Sequence, residues 1–159
     1  MVTQLMHNVM ASMILAMIIS GYITTSDQIP GTVDERDWHL VAATCHLENG
    51  ENGDLCILLT GSVVINRKLY CSWCPDTIEG VLFQGYKSSS CPQQYATHTL
   101  VNLDKVDVPE RTKMLAKYLL VFGPICPKEV IYQSQNKKLG HGHYAVIDTP
   151  QGPEYFAYE

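Results

Sequence analysis

Leu47-Glu48-Asn49-Gly50-Glu51-Asn52-Gly53-Asp54 is the stretch on which the reading of this chain turns. Before it, Trp38, Val41, Ala42 and Cys45 recur at three- and four-residue intervals, which puts them on one face of a helix. Asp34 or Asp37 can cap that helix, because a short carboxylate accepts from the unpaired N–H groups of a first turn. The Asn/Gly/Asp density after Glu48 ends it. Leu55, Leu58, Leu59, Ser62, Val63 and Ile65 then repeat at helical spacing as far as Arg67. Two packed helices joined by a polar turn are expected, with Glu48 at the end of the first. The β-branched run Val63-Val64-Ile65 also suits a strand, but Gly61 and Ser62 are small enough for a close helix crossing.

Toward the C terminus, Pro75 to Phe83 reads as a short helix begun by Pro75 and Asp76, and the segment from Ser88 to Gln94 as a loop. Asp107, Pro109 and Glu110 open a further helix whose stripe is Met114, Leu115, Tyr118, Leu119 and Phe122, stopped by Gly123-Pro124. Tyr144–Asp148 and Glu154–Tyr158 flank a Thr-Pro-Gln-Gly-Pro turn and read as a closing β-hairpin. The expected class is α+β, mainly helical, with a small C-terminal β-hairpin. No internal repeat is present.

Toward the N terminus, Val9 to Ile23 is an apolar run of 15 residues, shorter than the roughly 20 that span a bilayer comfortably. Small and polar residues follow it, as near a cleavage site, but the first Lys or Arg is Arg36, so a basic leader is missing. Three readings stay open: a cleaved export signal, an uncleaved membrane anchor, and a buried hydrophobic helix. Residues 1–30 are taken as export signal or anchor with linker and 31–159 as the functional domain. A chain starting near Val33 is expected to be soluble.

With 159 residues, 46 % hydrophobic and 17 % charged, one domain with one core is the natural expectation. A net charge of −5 and scattered basic residues exclude a nucleic-acid partner. Six cysteines allow up to three disulfides in an exported protein, and the C-x-x-C of Cys71 and Cys74 allows a redox pair, half a zinc site or a local structural disulfide.

A carboxyl group that emerges from an apolar helix face into a cleft is desolvated, which favours its protonated form and suits it to general acid catalysis. Glu48 stands at such a place, and breaking a glycosidic bond needs such an acid. Leu47-Glu48, followed eighteen residues after the Glu by Asn66-Arg67 across an apolar helix, resembles the core motif of the SleB-type cell-wall hydrolases. Pro75-Asp76-Thr77-Ile78-Glu79-Gly80-Val81-Leu82-Phe83-Gln84 is similar to a second block of that family. The likeness covers roughly residues 34–158 and is loose after Val130-Ile131-Tyr132. Glu51 is displaced by one residue from the family's second carboxylate, and the family's Arg is absent.

The resemblance implies a lysozyme-like domain in the spore-cortex-lytic, lytic transglycosylase class. Its substrate would be the peptidoglycan glycan strand, cut between N-acetylmuramic acid and N-acetylglucosamine. One glutamate, here Glu48, would protonate the leaving oxygen and then accept a proton from the muramic 6-hydroxyl, leaving an anhydro end. A hydrolytic route would want a second carboxylate about 5 to 9.5 Å away. Glu51 and Asp54 are nearest in sequence but suit a solvated or helix-capping role in the polar turn.

Asn66 and Arg67 are read as structural support of the site, Asn66 by tying the glutamate-bearing turn and Arg67 by bridging acidic or carbonyl groups. Gln84, Gln94, Tyr95, Tyr132 and Tyr144 are candidate glycan contacts, since amides and aromatic faces suit sugars, and nine tyrosines stand against three phenylalanines. His141 and His143 lack further ligands at zinc spacing, so no metal and no cofactor are expected. The expected state is a monomer, exported or membrane-anchored, acting at the cell wall. Two competitors are a non-catalytic glycan-binding module of the same fold and a C-x-x-C thiol redox protein.

Overall fold

A computed structural model describes residues 2–85, 95 and 102–159. Five helices are described, α1 (Val2–Ile19), α2 (Glu35–Asn49), α3 (Asp54–Tyr70), α4 (Ile78–Leu82) and α5 (Glu110–Phe122). They are followed by three strands, β1 (Val130–Ser134), β2 (His143–Thr149) and β3 (Gly152–Tyr158). The class is α+β, about half helical, with one antiparallel sheet in the order β1-β3-β2. The sheet is one strand larger than the expected hairpin.

Asp34 caps α2, its carboxylate accepting from Asp37 N–H at 2.9 Å. Val63-Val64-Ile65 lies inside α3, so the strand reading is excluded. The small residue Gly61 works as a crossing point: a Cβ there would stand 2.5 Å from Leu119 Cδ1 and 3.2 Å from Cys45 Sγ. A larger residue there would have to displace the Leu119 side chain and crowd Cys45 at this crossing. The cap of α4 is Thr77, whose hydroxyl accepts from Gly80 N–H, rather than Pro75 or Asp76. Gly53 precedes α3 as its N-cap, so of the two roles open to Glu51 and Asp54 capping is excluded, and Glu51 lies exposed in the turn. Asp54 instead pairs with Arg111 of α5.

The main core joins Leu40 and Val41 of α2, Leu58 and Val64 of α3, Ile78 and Leu82 of α4, and Leu115 and Leu119 of α5. Ile18, Ile23 and Ile29 are buried in the same core, and Arg111 donates to the Ile18 carbonyl. Ser26 N–H donates to Glu110, and Lys117 Nζ to the Ser26 carbonyl. The core therefore continues back past the expected boundary at residue 30. No described helix is long and apolar enough to cross a membrane. Much of α1 still shows apolar side chains to solvent, among them Leu5, Met6, Val9 and Met13.

A second, smaller core lies between α3 and the sheet, where Cys56, Leu59 and Val63 meet Val130 and Phe156. Strand pairing sets which side chains face it. Gln133 opposes Phe156, Ala145 opposes Phe156 from the other side, and Ile147 opposes Glu154. Opposed residues share a face, so Gln133, Ala145, Ile147, Glu154 and Phe156 all lie on the side turned to α3.

Candidate active site

The last turn of α2 delivers Glu48, and the turn after it is held from below. Asn49 is buried and donates through Nδ2 to Thr60 Oγ1 of α3 at 2.9 Å, while its Oδ1 accepts from Asn52 at 2.7 Å. Gly50 must be glycine on contact grounds: a Cβ there would lie 2.5 Å from both the carbonyl and Nδ1 of His46. The chain can thus fold tightly over the helix end and leave Glu48 beside an open space.

From the opposite side, β3 delivers Glu154. Two adjoining cavities of about 350 Å³ each share Glu48, Gln135 and Glu154 in their walls. One extends over the turn from His46 to Asn52 and reaches Gln151. The other extends along β1 past Gln133 and Ser134 to Tyr95. Their described walls carry Glu48, Glu51 and Glu154 but no Lys or Arg, so the space suits a neutral polar ligand better than a phosphate. His46 Nδ1, Asn52 Oδ1 and Gln133 Oε1 are buried with no hydrogen-bond partner among the described residues. Such atoms are uncommon in folded proteins.

Glu48 stands at the electrostatic centre of this space. Burial is the main cause that pushes the Cys45 thiol up to about 12, with the Glu48 charge adding to it. Tyr95 is raised first by burial, opposed by the Arg67 guanidinium, with Glu48 again adding. Glu154, only 8 % exposed, is raised from its ordinary value chiefly by burial. A hydrogen bond from Gln133 pulls it down, and the nearby Glu48 raises it further.

Of the glycan contacts expected from sequence, Tyr95 lies in this cleft, with the Arg67 guanidinium 5.6 Å from its ring centroid. Gln84, Tyr132 and Tyr144 are not among its walls. Gln84 Nε2 donates to the Trp73 carbonyl, Tyr132 stacks on Trp73 at 6.3 Å, and Tyr144 meets the Tyr158 ring edge-on at 6.2 Å. Tyr132 falls on the far face of β1 because its neighbour Gln133 takes the inward position. Gln94 lies outside the described residues.

Asn66 and Arg67 are buried, and Asn66 does not tie the glutamate-bearing turn. Its Nδ2 donates to the carbonyls of Pro127 and Val130 at 2.8 and 3.0 Å, and Arg67 Nε donates to the Ile131 carbonyl at 2.7 Å. Both therefore hold the start of β1, and the turn is held by Asn49. Cys71 and Cys74 form a disulfide, while Cys45, Cys56 and Cys126 are free and buried. The disulfide sits between α3 and α4 and not at a helix N terminus, where a redox thiolate would be stabilised.

Glu154 is the residue that sequence reasoning missed. The signal was available: in Glu154-Tyr155-Phe156 the acid alternates onto the same face as a buried Phe, which is an anomalous place for a surface charge. Comparison of the chain with known protein families, characterised proteins and solved structures finds no match.

Proposed function

We propose that this chain is a glycosidase of lysozyme-like architecture that cuts peptidoglycan glycan strands between N-acetylmuramic acid and N-acetylglucosamine, with Glu48 as its catalytic general acid/base. The observation that carries the proposal is the position of Glu48 at a helix end, on the wall of an open, polar cleft whose described lining holds no Lys or Arg. The Glu48, Asn66-Arg67 and Pro75–Gln84 blocks add the likeness to SleB-type cell-wall hydrolases.

A glycan strand laid along the cleft would offer hydroxyl and amide groups to the polar side chains of its walls, among them Glu51, Gln135 and Gln151. Glu48 would then donate a proton to the bridging oxygen, and its carboxylate would stabilise the positive charge developing on the sugar ring. In this reading the protein acts at the cell wall, exported or held at the membrane through the apolar face of α1.

The test is digestion of purified peptidoglycan with mass spectrometry of the released muropeptides. Glu48→Gln keeps the side-chain size and cannot give up a proton, so cleavage should fall by on the order of 10²–10⁴ while sacculus binding persists. A Glu48→Gln protein that digests at the wild-type rate would sink the assignment. Binding without any release by the wild type would favour the non-catalytic module.

A further inference from the structure

We propose, building on the glycan-cleavage reading but moving the proton donation given there to Glu48 onto a second catalytic carboxylate, Glu154, that Glu154 as acid and Glu48 as base split the glycosidic bond with water and not by internal transglycosylation. The two residues reach the cleft from opposite walls, Glu48 from the end of α2 and Glu154 from the inward face of β3, and each lines both cavities. Glu154 has no evident structural reason to be acidic. It sits on the sheet face that carries Phe156 and Ile147, and among the described residues no cation pairs with it. Its side-chain partner is the neutral amide of Gln133, whose own Oε1 is one of the unsatisfied atoms of the cleft. An acid buried on an apolar face at a cost in stability, and opening onto a cavity, is what a proton donor requires.

The pair divides the work that a single-glutamate mechanism gives to Glu48 alone. The acid is assigned to Glu154 because it is buried on the inner sheet face and opens onto the cleft; burial and the nearby Glu48 push its carboxyl upward against the pull of the Gln133 hydrogen bond. As the bond from the anomeric carbon to the bridging oxygen breaks, Glu154 gives that proton to the bridging oxygen, which leaves as the hydroxyl of the departing sugar. Glu48 takes a proton from the water whose oxygen bonds to the anomeric carbon. One water is consumed, the new end is a reducing hemiacetal, and proton exchange with solvent restores Glu154 as the acid and Glu48 as the carboxylate.

The experiment digests purified peptidoglycan with the full chain in water labelled with heavy oxygen, comparing wild type with Glu154→Gln. The expected result is reducing-end muropeptides carrying one heavy oxygen from the wild type. Glu154→Gln should lower the rate by on the order of 10²–10⁴ with sacculus binding kept. Wild-type products with unlabelled anhydro ends would overturn this inference and leave the glycan-cleavage reading standing. A Glu154→Gln protein that keeps its rate would do the same. If Glu154→Gln fails to fold, the label on the wild-type product still decides. No muropeptide release by the wild type would overturn the cleavage reading, and this inference with it.

Discussion

Asn66→Ala offers a direct test of how the cleft is held together. Asn66 is fully buried, and its Nδ2 is within hydrogen-bond distance of two carbonyls, Pro127 at 2.8 Å and Val130 at 3.0 Å. Alanine removes both bonds; the Pro127 carbonyl keeps the Val130 N–H at 3.0 Å, so the cost falls mainly on the buried Val130 carbonyl, at about 1–3 kcal/mol. Part of this is recovered, because Asn66 Oδ1 has no partner among the described residues and its burial cost disappears with it. The net loss should be about 1–2 kcal/mol, which at roughly 2–4 °C per kcal/mol for a chain of this size lowers the melting midpoint by roughly 2–8 °C. Asn66→Asp should be at least as damaging, since it keeps the shape but turns acceptor oxygens toward acceptor carbonyls. Urea denaturation with an unchanged m-value measures the loss. A change under about 0.5 kcal/mol for Ala, or an Asp variant as stable as wild type, would refute the reasoning.

The raised pKa of Glu154 has a stability consequence of definite sign. The folded state holds this proton more tightly than the unfolded chain, so the contribution is full below the ordinary value of 4.5 and is lost as pH rises through the folded one. Denaturation of wild type and Glu154→Gln from about pH 4 to 8 should therefore show the variant gaining stability relative to wild type; a constant difference would contradict the shift. Alkylation of the denatured, unreduced chain should label Cys45, Cys56 and Cys126 and spare Cys71 and Cys74. In the folded protein the three should react slowly, since burial raises them to about 12, 11 and 11; fast native labelling would argue against that core. A chain beginning at Val33 loses Ile18, Ile23 and Ile29, each worth about 1.5–3 kcal/mol buried, and should be far less stable than one beginning at Met17. Equal melting of the two would show that the segment from residue 18 to 29 does not belong to the core.

The helices were legible because their signals are local. Asp34 before an apolar stripe, the Asn/Gly turn after Glu48 and Gly123 after Phe122 each act within a few residues, and the element bounds follow them. The sheet was less legible. Val130-Ile131-Tyr132-Gln133-Ser134 begins with two buried residues in succession, and its register shifts between Val130 and Tyr132, so simple alternation is broken. A second shift falls between His143 and Ala145, at Tyr144. Which way a tyrosine points on such strands depends on these irregularities, and for that reason Tyr132 and Tyr144 were expected at the cleft and lie elsewhere. The N-terminal apolar run posed a different difficulty. Ile18, Ile23 and Ile29 look the same in sequence whether they precede the domain or belong to its core, and only long-range packing separates the two. Glu154 was passed over because an acid in a hairpin is ordinarily on the solvent side, although its alternation with Phe156 put it on the inner face.

The fixed interval between Glu48 and Asn66 acquires a physical meaning from the contacts of α3. Near its start, Thr60 accepts from Asn49 and so fixes the end of α2 that carries Glu48. Near its other end, Asn66 and Arg67 hold the carbonyls of Val130 and Ile131 and so fix β1, which carries Gln133 and pairs with the strand of Glu154. Thr60 and Asn66 are separated by six residues, which at 1.5 Å per residue sets their anchor points about 9 Å apart along the helix. The helix thus acts as a spacer between the two walls of the cleft. The Asn-Arg pair matters for where it puts β1, with no need to touch a substrate itself. One residue inserted between Thr60 and Asn66 would turn Asn66 by about 100° away from the Pro127 and Val130 carbonyls. The two walls would then lose their common reference even if every residue lining the cleft were unchanged.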